Sequence, residues 1–149
     1  MILGFDVTNT TALAAVAPVI TSRAAIAVSQ AWVGDAGRPV LTSSDSFSVP
    51  VQRGAGGHPA GNVTLPLWQV WAKLQPRGVV AVLLINLSPD GPRDIAVPLA
   101  TAGLPGDVDV VATDVWTGAA LPAASVANRT LTINAVAGHS STFVLLSPK

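Results

Sequence analysis

From Pro39 onward the chain is a succession of short runs rich in β-branched and apolar residues, each stopped by turn chemistry, and this pattern constrains the fold more than any other feature. The strand runs fall at 39–42, 46–51, 65–74, 79–87, 95–99, 108–116, 129–135 and 142–146. Between them stand Gln75-Pro76-Arg77-Gly78, Ser88-Pro89-Asp90-Gly91-Pro92 and Thr117-Gly118, where proline presets φ and glycine supplies the conformations other residues avoid. The pattern therefore predicts a mainly β fold, an antiparallel β-sandwich of about eight strands, with 79–87 in a central position. In 108–116 the alternation is imperfect, so either face of that strand can be the buried one.

The first part of the chain reads differently. Residues 2–6 form an apolar run that closes on Asp6, the pattern of a buried parallel strand with a polar C-terminal end. A helix follows, started by the hydroxyls of Thr8, Thr10 and Thr11 and carrying Leu13, Val16, Val19 and Ile20 on its apolar side; Pro18 must end or kink it. Ser22 caps a second short helix from Arg23 to about Gln30, with Ile26 turned inward. After Trp32 the period changes, and 34–39 is a boundary segment that divides the chain into 1–33 and 34–149.

Composition narrows the function classes. Eight Asp and no Glu balance six Arg and two Lys, so the net charge is zero and no basic patch exists for nucleic acid or an anionic membrane. With no Cys and only His58 and His139, neither a disulfide framework nor a metal cage can be assembled, and no cofactor is implied. Mean hydropathy is high at +0.54. Even so, Gly, Pro and polar residues interrupt every apolar run before the roughly 18 residues that a membrane helix needs. The N-terminus lacks the positive n-region and long h-region of a signal peptide. Asn-x-Ser/Thr sequons at Asn9, Asn62, Asn86 and Asn128 are possible glycosylation acceptors and hint at a secretory route.

Candidate chemistry is sparse. Gly54-Ala55-Gly56-Gly57 resembles a phosphate cradle only in glycine content, since no Lys-Ser/Thr pair follows, and residues 53–61 read as a loop that holds a solvated His58. Gly138-His139-Ser140-Ser141 lacks the glycine spacing of a nucleophile elbow and reads as a turn into the last strand. Asp35, Asp45, Asp90, Asp94 and Asp107 sit in turn-like contexts and Asp109 and Asp114 within a strand, which leaves Asp6 alone at a strand end. A lone carboxylate there caps the following helix or pairs with a neighbouring strand. Trp32, Trp68, Trp71 and Trp116 fill a core or an interface, or form a stacking platform for sugars, although Trp68 and Trp71 must lie on opposite faces of one strand.

Ile2-Leu3-Gly4-Phe5-Asp6-Val7 and the segment from Val19 to Ile26-Ala27-Val28-Ser29-Gln30 resemble the last barrel strand and helix of α-galactosidases and α-N-acetylgalactosaminidases. Gly34-Asp35-Ala36-Gly37-Arg38 resembles the Gly-x-x-Gly-Arg that follows in that family, and Val70-Trp71-Ala72-Lys73, Val80 to Asn86 and Asp114-Val115-Trp116-Thr117-Gly118 resemble its C-terminal sandwich. The resemblance implies that 1–33 is the end of a (β/α)8 barrel and 34–149 the sandwich behind it, in a retaining hydrolase of terminal α-linked galactosides that is secreted or lysosomal/vacuolar. The implied partner is the missing barrel portion.

Two departures stand out. Ser29 replaces the usual Asn, and Met1 falls inside the strand where the family has Pro-Leu, so the chain is expected to start late. The family's nucleophile and acid/base Asp lie on earlier barrel strands, so no residue here inherits a catalytic role, and Asp6 matches an Asp near the active site but outside the pair. The chain alone is expected to be inactive. Its two helices are expected either to dock on the sandwich, anchored by Trp32, or to stay mobile. The alternative reading is a stand-alone β-sandwich that binds carbohydrate or a partner protein.

Overall fold

The structure, a computed structural model, describes residues 8–51, 61–105 and 107–149. The strand expected at 2–6, with Asp6, and the glycine-rich segment with His58 lie outside the described residues.

Helix α1 spans Thr10–Ile20, and its cap is Asn9 rather than a threonine hydroxyl: Asn9 Oδ1 accepts from the Ala12 amide at 3.0 Å. The helix runs on past Pro18 to Ile20, and its last turn is closed by the Thr21 amide and hydroxyl, which both donate to the Ala17 carbonyl at 3.0 and 2.7 Å. Helix α2 spans Arg23–Gln30 and is capped as expected, with Ser22 Oγ accepting from the Ala25 amide at 3.3 Å. The two axes are bent by 59° at the break, and no single helix among the described residues is long and apolar enough to cross a membrane.

Among the described residues ten strands follow, β1 (Arg38–Thr42), β2 (Ser46–Val51), β3 (Gly61–Pro66), β4 (Trp68–Leu74), β5 (Val80–Asn86), β6 (Arg93–Pro98), β7 (Val110–Asp114), β8 (Val126–Ala127), β9 (Thr130–Val136) and β10 (Ser140–Pro148), with a short helix α3 (Leu99–Ala102) after β6. All pairings are antiparallel. One sheet has the order β1-β4-β5-β10-β7, the opposing sheet the order β6-β9-β8, and β2 and β3 form a separate hairpin. The expected sandwich is therefore present, with β5 central.

The boundaries differ from the sequence reading for identifiable reasons. The run 65–74 breaks at Leu67, where the opposite strand carries an extra residue: Ser43 N donates to Trp68 O and Leu67 N to Asp45 O, both at 3.0 Å. Leu99 leaves its strand to open α3, which Gly103 closes at φ 101°. Asn128 and Arg129 adopt φ of 49° and 58° in the two-residue turn joining β8 to β9, so β9 starts at Thr130. The 108–116 run shortens because Asp114 Oδ1 accepts from both the Thr117 amide and hydroxyl, at 2.7 and 2.9 Å, and folds the chain into a turn.

Between the sheets, Val70, Val82, Leu84, Val144 and Leu146 meet Ile95, Val97 and Leu131 in one core, all of them fully buried. Each such side chain contributes about 1.5–3 kcal/mol on burial. Asn86 closes this core on the β5 side. Its Nδ2 donates to Gly91 O at 2.9 Å and to Val136 O at 2.8 Å, and its Oδ1 accepts from the Ser88 amide at 3.0 Å, so one amide ties both sheets to the 88–92 turn. Gly138 passes so close that a Cβ there would lie 2.7 Å from Ser88 O.

Candidate interaction surface

Strand alternation decides which residues face away from the core. With Val70 and Ala72, Val82 and Leu84, and Val144 and Leu146 turned inward, the opposite set is Trp71 and Lys73, Ala81, Leu83 and Ile85, and Phe143 and Leu145. The register sets Trp71 beside Leu83 and Leu83 beside Phe143, which makes an apolar row across three strands. Trp116 extends that row: the Val115 amide donates to Phe143 O at 2.9 Å, and the Trp116 ring tilts against Phe143 with centroids 5.7 Å apart and planes at 57°. A solvated outer face would carry polar residues in these places.

Helix α2 lies on this face. Val28 is buried there, and Lys73 Nζ donates to the carbonyls of Val28 and Ser29 at 2.7 and 3.0 Å, a cation on the last turn of a helix. Two grooves remain. One of about 150 Å³ is lined by Val28, Gly37, Trp71, Leu83 and Phe143. The other, of about 270 Å³, runs between Trp116 and the helices at Val19, Ile26 and Gln30. Trp32 is not the anchor: the helix ends at an extended Ala31 and Trp32 beyond it is 68% exposed. No side chain of α1 is fully buried, and Leu13 and Val19 stay exposed.

The tryptophans divide as alternation requires, Trp68 packing against the core and Trp71 lying outside. His139 stands in the turn before β10 at φ 53°. Of the sequon residues, Asn62 and Asn128 are exposed and Asn9 caps α1, whereas Asn86 is 0% exposed with both amide hydrogens committed. A glycan on Asn86 is incompatible with this fold. The sequence signal for this structural role is an Asn that closes an apolar strand just before Ser-Pro-Asp-Gly. The carboxylates act locally: Asp94 accepts from the Ala135 amide at 2.8 Å, holding that residue at φ 52°, and Asp114 holds the turn already described.

An antiparallel sandwich with a contiguous, partly exposed apolar row on one outer face carries the mark of an interaction surface. The chain belongs to the alpha galactosidase C-terminal beta sandwich domain family, whose profile matches residues 67–146. No curated protein sequence matches it. Among solved structures it is similar in fold to alpha-galactosidase I from Mortierella vinacea, with 19% identity and a TM-score of 0.66 over 98% of this chain and 31% of that one. A GH27 β-L-arabinopyranosidase from Geobacillus stearothermophilus matches with 20% identity and a TM-score of 0.62, over 88% of this chain and 23% of that one. An alpha-N-acetylgalactosaminidase-like protein from Bacillus halodurans matches with 20% identity and a TM-score of 0.61, over 89% of this chain and 25% of that one. The chain thus spans about a quarter to a third of these structures, and the 98% match takes in both helices.

Proposed function

We propose that residues 34–149 are the supporting sandwich of a retaining α-galactosidase-like hydrolase acting on terminal α-linked galactosides, and that 1–33 belong to the end of its catalytic barrel. The observation that carries this reading is the apolar outer row of Trp71, Leu83 and Phe143 with α2 seated on it in a chain of this family. A sandwich that worked alone would expose this row to water. On a barrel, whose outer layer is a ring of helices, the row is buried by the next helix and steadies the barrel end from behind.

Retaining hydrolysis needs two carboxyl groups about 5–5.5 Å apart on rigid elements. In this reading neither comes from this chain. Asp94 and Asp114 are committed to backbone amides, and Asp6 lies beside the parent site without joining the pair. Glycans, where added, go on Asn9, Asn62 or Asn128.

The test is hydrolysis of an aryl α-galactoside. The purified chain alone gives no turnover above buffer, while the same chain joined to its barrel does. Turnover by the chain alone that disappears in Asp6→Asn would overturn the assignment.

A further inference from the structure

The 88–92 turn contains the one Asp-Gly pair of the chain, Asp90-Gly91, and the chain has no Asn-Gly pair. Asp90 is exposed, and its carboxylate is in no hydrogen bond or ion pair among the described residues; only its amide is engaged, donating to Ser88 Oγ at 3.1 Å. The Gly91 amide likewise donates to no partner among the described residues. Gly91 stands at φ 105°, and a Cβ built on it would meet nothing within 4 Å, so its surroundings are open.

The other carboxylates are hindered or engaged. Asp6, Asp94, Asp107, Asp109 and Asp114 precede Val or Ile, whose branched side chains crowd the following nitrogen. Asp94 and Asp114 also accept from the amides of Ala135 and Thr117. At Asp90 alone does a carboxylate without a partner precede a residue that has no side chain.

We infer that Asp90-Gly91 is a site of spontaneous isoaspartate formation, and that the change is transmitted to the core through Asn86. The Gly91 nitrogen bonds to Asp90 Cγ, the amide proton and a carboxyl oxygen leave as water, and a five-membered succinimide ring results. Water then opens the ring. Addition at Cγ restores aspartate, whereas addition at the Asp90 main-chain carbonyl carbon leaves the main chain running through Cγ, which is isoaspartate. No oxidant, reductant or other reactant is needed.

Isoaspartate lengthens the main chain by one methylene carbon, about 1.5 Å. The turn has no slack to absorb it: Gly91 O accepts from the buried Asn86 Nδ2 at 2.9 Å, and a Cβ on Gly138 would lie 3.4 Å from Gly91 O and 3.5 Å from Gly91 N. Moving Gly91 therefore breaks the Asn86 bond or presses the turn on Gly138, so an exposed chemical event reaches the closed end of the core.

The experiment ages the purified full chain at neutral pH, digests it with trypsin, and follows the peptide 78–93 by chromatography, electron-transfer fragmentation and methylation by a β-aspartyl methyltransferase. The expected result is a second peak of unchanged mass that accepts the methyl group and grows at least about tenfold faster than isoaspartate at any other Asp. Asp90→Glu, which would need a larger ring, shows no such peak. The aged fraction should unfold at a urea midpoint at least about 0.5 M lower, whereas Asp90→Glu aged in parallel keeps its midpoint. Aged chain with no more isoaspartate at position 90 than at the other Asp positions overturns the site. Isoaspartate at position 90 with an unchanged midpoint overturns its transmission through Asn86.

Discussion

Replacing Asn86 with alanine removes the amide that holds three backbone groups, the Gly91 and Val136 carbonyls and the Ser88 N–H, at a site fully closed to water. Each bond is worth about 1 kcal/mol net, and a buried group left without a partner costs about 1–3 kcal/mol. Partial relaxation of the 88–92 turn recovers some of this, so the expected loss is about 3–5 kcal/mol. That is a large share of the roughly 5–15 kcal/mol that a domain commands. At about 2–4 °C per kcal/mol for a chain of this size, the melting temperature falls by roughly 6–20 °C. Urea unfolding followed by tryptophan fluorescence measures it. Asn86→Asp adds a signed check: the introduced carboxyl would face two carbonyl oxygens, which raises its folded pKa above the unfolded value of about 3.9. The folded state then binds more protons than the unfolded one, so stability falls as pH rises through that window and the variant does best in acid. A loss under about 1 kcal/mol for Asn86→Ala would refute the clamp.

Gly138→Ala forces a Cβ to 2.7 Å from the Ser88 carbonyl oxygen, a backbone atom with little room to yield, and should cost about 1–3 kcal/mol by the same urea assay. Lys73→Met keeps the aliphatic stem but drops both bonds to α2; exchange of the 23–30 amides should quicken about tenfold while the sandwich keeps its midpoint. Trp32→Ala should change stability by less than about 0.5 kcal/mol, since Trp32 is 68% exposed. Amides of α1, which has no buried side chain, should exchange faster than those of β5, and equal protection would contradict a peripheral place for the helices.

The strand series was legible because turn chemistry and apolar runs are local signals, and β5 could be placed centrally from its sequence alone. The Trp68/Trp71 split followed from alternation. What the sequence did not disclose depends on partners far along the chain: Asn86 meets Val136 fifty residues on, and Lys73 reaches α2 across more than forty. Trp32 misled because size suggests burial, whereas it stands past the end of α2 and is 68% exposed. The hairpin was hidden for a similar reason: the break at Leu67 arises from an extra residue on the opposite strand, which no reading of 65–74 alone can reveal.

Side-chain labelling by hydroxyl radicals, comparing the chain alone with the chain joined to the proposed barrel, bears most directly on the role of the outer face. Trp71 and Trp116 are partly exposed in the chain alone and should label readily there. Joined to the barrel, both should be shielded along with Phe143, while the outer face of the β6-β9-β8 sheet stays as reactive as before. Equal labelling of Trp71 and Trp116 in the two states would contradict a sandwich that leans on its barrel through this row.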